Sequence, residues 1–64
     1  MKLMLKEQRK KKGLTQTELA EAADILQYRV SEYERGKHND MLLSTAVKIA
    51  KALDCKLEDL FKED

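Results

Sequence analysis

The sequence predicts an all-α fold of five short helices in one small domain. Three observations carry that reading. The chain has 64 residues, no proline and two glycines, so the turn chemistry of a hairpin-rich sheet is scarce. Ala, Leu, Glu and Lys, all good helix formers, dominate the composition. Apolar residues recur at helical spacing, in segments closed by Gly13 and Gly36 as C-terminal stops.

The elements follow in order. Residues 2–12 form the first helix, which ends at Gly13. Thr15-Gln16-Thr17-Glu18 has the form of a capping box, Thr15 accepting from the helix and Glu18 reaching back. The second helix runs over 16–23 with Leu19, Ala20 and Ala23 facing in, and small Ala20 allows a close helix crossing. Asp24-Ile25 interrupts the chain before a third helix over 27–35. Asn39 or Asp40 can cap a fourth helix over 41–53, whose inward face carries Leu42, Leu43, Ala46, Ile49, Ala50 and Leu53. A last helix covers 57–62, with Leu57, Leu60 and Phe61 apolar. Two short helices joined by about three residues suggest a helix-turn-helix unit.

Composition restricts the function. The chain is 42% hydrophobic and 39% charged, enough apolar material for one small core. A domain of this size buries only roughly 60% of its unfolded surface, too little to wall a deep, dry catalytic cavity. One His, one Cys and no Gly-rich phosphate loop leave few catalytic arrangements, so no enzyme and no cofactor are expected. A four-ligand zinc set is out of reach. Cys55 has no disulfide partner, which suits a reducing, cytoplasmic setting. No apolar stretch is long enough to span a membrane or act as a signal peptide, and no effector domain is expected to follow.

The net charge of +1 conceals an asymmetry. Residues 1–12 carry six basic side chains (Lys2, Lys6, Arg9, Lys10, Lys11, Lys12) against Glu7 alone. Residues 54–64 carry Asp54, Glu58, Asp59, Glu63 and Asp64 against Lys56 and Lys62. A basic face at one end is one reading. The other is that Lys10 to Lys12 simply complement the dipole of a helix C-terminus.

The third helix is amphipathic. With Gln27 at zero and 100° per residue, Ser31, Arg35, Tyr28 and Glu32 fall within roughly 0–140°. Leu26, Val30 and Tyr33 fall opposite, near roughly 240–300°, and dock the helix, while Arg29 and Glu34 lie on the boundaries. A merely solvated face would give the same pattern.

Context separates the two readings. Arg9, then Gly13-Leu14-Thr15-Gln16-Thr17-Glu18-Leu19-Ala20, then Val30-Ser31-Glu32-Tyr33-Glu34-Arg35-Gly36-Lys37, resembles the Cro/cI-type (Xre family) helix-turn-helix. Lys48-Ile49-Ala50-Lys51-Ala52-Leu53 and Leu57-Glu58-Asp59-Leu60-Phe61 resemble that family's fourth and fifth helices, so the likeness covers nearly the whole chain. It implies a compact five-helix, lambda-repressor-like domain. Asp24 and Asp54 stand where the family usually has Gly, Leu26 and Lys56 where it usually has capping residues. The loop before the fourth helix is about one residue longer than is usual in the family and lacks its common Pro.

The resemblance implies base reading by Gln27, Tyr28 and Glu32 from a helix in the major groove, with Ser31 permitting close approach. Gln27 can pair with adenine N6 and N7, Tyr28 can pack on a thymine methyl, and Glu32 can accept from cytosine N4. Glu32 can equally be a surface acid paired with Arg29 or Arg35. Phosphate contacts fall to Gln16, matched to a family Gln at the start of the second helix, and to Lys37, Arg35 and Arg29. His38 is read as a solvated loop residue, and Cys55, at a position usually apolar in the family, as packing. Arg9 and Glu34 match an inward ion pair joining the first helix to the third, a structural role.

The expected protein is therefore a sequence-specific regulator of duplex DNA, a repressor acting as a homodimer on a palindromic operator. Its dimer surface is placed near Leu57 and Phe61. The alternative is a protein-interaction module, such as an antitoxin gripping a toxin or a regulator with a protein partner, which the acidic C-terminal end and small net charge also fit.

Overall fold

The computed structural model describes residues 2–38 and 40–63, and its elements are β1 (Lys2–Leu3), α1 (Leu5–Lys11), α2 (Gln16–Ala23), α3 (Gln27–Glu34), α4 (Leu43–Ala52), α5 (Leu57–Leu60) and β2 (Phe61–Lys62). Helices of four to ten residues are too short to persist alone in water, so packing holds them. Leu5, Leu19, Val30, Ile49, Leu53 and Leu60 have lost all solvent contact and bring every helix into one core. Buried Ala20 and Ala23 let α2 lie close against its neighbours.

Four helices end in the same device. Gly13, Asp24, Gly36 and Asp54 take left-handed backbone angles, φ +71°, +56°, +95° and +52°. The next amide then bonds back across the last turn: Leu14 to the Arg9 carbonyl at 3.1 Å, Ile25 to Ala20 at 3.0 Å, Lys37 to Glu32 at 2.9 Å and Cys55 to Ala50 at 3.0 Å. Leu14, Ile25 and Cys55 fold onto the core as the chain turns, the apolar contact that accompanies this motif. Asp therefore does at two ends what Gly does at the other two.

At the start of α2 the capping box is complete. Thr15 Oγ1 accepts from the Glu18 amide at 3.0 Å, and Glu18 Oε1 accepts from the Thr15 amide at 2.9 Å. Lys56, which has no acceptor, keeps only the reciprocal half before α5: Asp59 Oδ2 accepts from the Lys56 amide at 3.2 Å.

Several boundaries differ from the sequence expectation. Helix 2–12 begins only at Leu5, because Lys2 and Leu3 pair antiparallel with Lys62 and Phe61. The Met4 amide closes this ribbon on the Leu60 carbonyl at 2.7 Å, and helix 57–62 stops at Leu60 for the same reason. Helix 27–35 ends one residue earlier, with Arg35 as its C-cap.

The fourth helix starts at Leu43 rather than at 41 and ends at Ala52. Its N-cap is Leu42, with no side-chain cap, so Asp40 does not serve; Asn39 lies outside the described residues. Half-buried Met41 instead packs on the core, its amide closing a turn on the His38 carbonyl at 3.1 Å. Leu42 and Leu43, assigned to the inward face, are 67% and 72% exposed. Leu42 precedes the helix, and the first turn of α4 overhangs the core that Ala46, Ile49 and Ala50 fill. Leu26, assigned to docking α3, is likewise an extended N-cap and stays exposed, leaving Val30 and Tyr33 to bury the helix. Among the described residues no helix is long and apolar enough to cross a membrane.

Candidate nucleic-acid interface

α2, the turn at 24–26 and α3 form the helix-turn-helix unit. α3 is held from behind by Val30 and Tyr33, both buried. On its other side Gln27, Tyr28 and Arg35 are exposed, and Ser31 and Glu32 are half-buried. Leu26 contributes no capping side chain, so the first amides of α3 lack a side-chain acceptor.

Tyr28 is 53% exposed, and the Arg29 guanidinium lies 5.3 Å from its ring centroid, within cation–π range. Arg29 Nη1 also stands 4.0 Å from Glu32 Oε1, one turn along the helix. Glu32 thus has a cation beside it on its own helix, a loose, wet pair of small energetic weight. Lys37 is exposed immediately after the Gly36 turn. His38 is half-buried, and its Nδ1 is enclosed without a partner among the described residues.

Behind the exposed arc lies the tightest polar cluster of the fold. Arg9 Nε donates to Glu34 Oε2 at 2.6 Å and its terminal nitrogen to Glu34 Oε1 at 3.1 Å, a bidentate pair joining α1 to α3. The remaining arm of Arg9 donates to the Leu14 carbonyl at 2.8 Å, tying in the turn before α2. Gln16 Nε2 donates to Glu34 Oε1 at 3.1 Å, so one carboxylate links all three helices. Burial pushes the Glu34 carboxyl up, but the hydrogen bonds from Arg9 and Gln16 and the charges of Arg9 and Lys6 outweigh it, leaving the group below its ordinary value.

Sequence reasoning had no signal for the Gln16–Glu34 bond, which spans 18 residues and depends on how α2 crosses α3. It likewise had none for the Arg29 guanidinium over Tyr28. Burial first and then Asp59 and Asp54 raise the Cys55 thiol, with Lys12 acting against them.

A family model described as helix-turn-helix matches residues 5–60. The chain belongs to the Cro/cI-type (Xre) helix-turn-helix family. Its relatives include an uncharacterized transcriptional regulator of this type, YopS, derived from the SPbeta prophage of Bacillus subtilis, 43% identical over 53 residues, 83% of this chain and 72% of that one. An uncharacterized helix-turn-helix regulator from Archaeoglobus fulgidus is 38% identical over 61 residues, 95% of this chain and 86% of that one. Among solved structures, the restriction-modification controller protein C.AhdI from Aeromonas hydrophila superposes with a TM-score of 0.83 at 37% identity, over 89% of this chain and 85% of that one. This helix-turn-helix protein is accordingly a DNA-binding transcriptional regulator and not an enzyme.

Proposed function

We propose that the chain is a cytoplasmic, sequence-specific repressor that places α3 in the major groove of duplex DNA as a homodimer on a palindromic operator. The observation that carries this reading is the division of α3 into a face buried by Val30 and Tyr33 and an exposed polar arc led by Gln27 and Tyr28. In that arc Gln27 offers a donor and an acceptor to an adenine edge, Tyr28 a flat apolar surface to a thymine methyl, and Glu32 an acceptor to cytosine N4. Ser31, small and half-buried, lets the helix approach.

Gln16, Arg29, Arg35 and Lys37 take the phosphates and so set the register. A primary amide has two N–H donors, and Gln16 spends one on Glu34, so the other is available to a phosphate oxygen. Arg9 and Glu34 hold α1, α2 and α3 in fixed relation beneath the reading surface. A single helix of eight residues reads few bases, so two copies over half-sites about 34 Å apart are needed for operator-grade specificity.

The test is selection of duplexes from a random pool, followed by affinity titration against salt. A palindromic winner is expected. Gln27→Ala should relax the choice of base at one position in each half-site. Lys37→Ala should weaken all sequences alike and reduce the slope of log affinity against log salt by about one. If neither change alters duplex binding, α3 does not read DNA, and the chain acts instead through a protein partner.

A further inference from the structure

Arg29 touches two of the base-reading side chains of α3 at once. Counted from Gln27, Tyr28 stands at roughly 100° around the helix, Glu32 at roughly 140° and Arg29 at roughly 200°. Arg29 therefore leaves the backbone on the flank of the reading arc and turns back over it. Its guanidinium carbon lies 5.3 Å from the Tyr28 ring centroid, and its Nη1 stands 4.0 Å from Glu32 Oε1. It makes these contacts although another carboxylate, Asp40, lines the same groove as Arg29.

We propose that Arg29 is the positioning residue for Tyr28 and Glu32, and so helps to set which bases α3 accepts. This rests on the reading of DNA by α3 given above and adds a second role to the phosphate contact assigned there to Arg29. A guanidinium suits both partners, because it has a flat face for a ring and N–H donors along its edge for a carboxylate. Its five donors leave others for a phosphate oxygen. Glu32 gains most. Its carboxylate has to face cytosine N4 between two strands of phosphate, which repel it. A cation 4.0 Å away offsets that repulsion and gives the carboxylate a fixed neighbour.

Before DNA binds, the Arg29 and Glu32 side chains are 44% and 31% exposed, and water screens the pair. Docking against a duplex removes that water and strengthens both contacts at the moment when bases are compared. Gln27 stands roughly 160° from Arg29 around the helix and lies outside this arrangement. Base choice should therefore be coupled at the positions read by Tyr28 and Glu32, and independent at the one read by Gln27.

The test measures the affinity of the full chain for its selected duplex and for every single-base change in one half-site. Tyr28→Leu, Glu32→Gln and Gln27→Ala first identify the position that each side chain reads. Arg29→Lys then keeps the charge and removes the plane. Discrimination should fall about tenfold, or about 1.4 kcal/mol, at the Tyr28 and Glu32 positions. It should stay within about twofold at the Gln27 position, with the salt slope unchanged. Without the ring to anchor the guanidinium, as in Tyr28→Leu, the same change should cost less than about threefold at the Glu32 position. Arg29 is exposed, so an unchanged circular dichroism melt shows that the variant folds.

Unchanged ratios in Arg29→Lys would leave only a phosphate contact and overturn the proposal. So would a uniform loss at all three positions, which means a shifted helix, or an equal cost with and without the Tyr28 ring. Base choice that ignores Tyr28→Leu, Glu32→Gln and Gln27→Ala alike strikes the reading of DNA by α3. Base choice that follows those three but ignores Arg29→Lys strikes the positioning role alone.

Discussion

Replacing Arg9 by Met removes three hydrogen bonds at once, two to Glu34 and one to the Leu14 carbonyl. The side chains of the pair are 12% and 5% exposed, so the orphaned Glu34 carboxylate has little water to turn to. Breaking a buried pair from one side costs about 3–5 kcal/mol; the residual exposure of Arg9 argues for the lower end, about 3 kcal/mol. The whole domain, at typical stability per residue, has only about 3–10 kcal/mol. A loss of that size lowers the melting temperature by roughly 12–24 °C in a chain this short. Removing the stranded charge as well, in Arg9→Met/Glu34→Leu, should restore much of the loss, because two apolar side chains of similar bulk leave no ion unpaired. Urea unfolding followed by circular dichroism at about 10 °C, where marginal variants stay folded, measures all three proteins. An Arg9→Met cost below about 1 kcal/mol, or a double variant no better than the single one, would show that the pair is not what joins α1 to α3. Acid gives a second reading. The folded Glu34 value lies below the ordinary 4.5, so its contribution is complete above that pH and is lost as pH falls through the folded value. The stability gap between wild type and Glu34→Gln should therefore narrow on acidification below about pH 4.5 and stay flat above it.

Three other outcomes follow from local geometry. Thr15→Ala breaks the capping box and should cost about 1 kcal/mol, visible as a drop of roughly 4–8 °C in a thermal melt; no change would mean that α2 does not depend on its cap. Asp24→Gly and Asp54→Gly relieve left-handed backbone at φ +56° and +52° and should each raise the melting temperature slightly, whereas Asp24→Val should lower it. Cys55, its thiol raised by burial and by Asp59 and Asp54, should be alkylated by iodoacetamide at pH 8 more slowly than in urea-unfolded chain, and equal rates would contradict that environment.

The parts of this protein legible in its sequence were those governed by neighbours along the chain. The Thr15–Glu18 box, the Gly13 and Gly36 stops and the span of α2 depend on residues three to five apart, and the structure matches them. The 3.6-residue repeat likewise separated Val30 and Tyr33 from Gln27 and Tyr28 on α3. What failed was long-range or terminal. Residues 2–4 have acceptable helix formers, yet their amides pair with a strand almost sixty residues away, and no local pattern announces such a partner. Periodicity also assigns a side to a leucine without showing whether anything stands on that side. Leu42, Leu43 and Leu26 sit where helices have not begun or have outrun the core, and there the apolar face looks onto solvent.

The candidate interface divides along the same line. Sequence alone determined which residues of α3 could share an outward arc, because helical geometry is local. Only the tertiary structure decided that Gln16 rests on Glu34, that Arg29 leans over Tyr28, and that Leu26 and Leu42 line one groove. Those relations depend on the crossing of one helix over another, and a crossing is set by the packing of the whole core and not by any one segment within it.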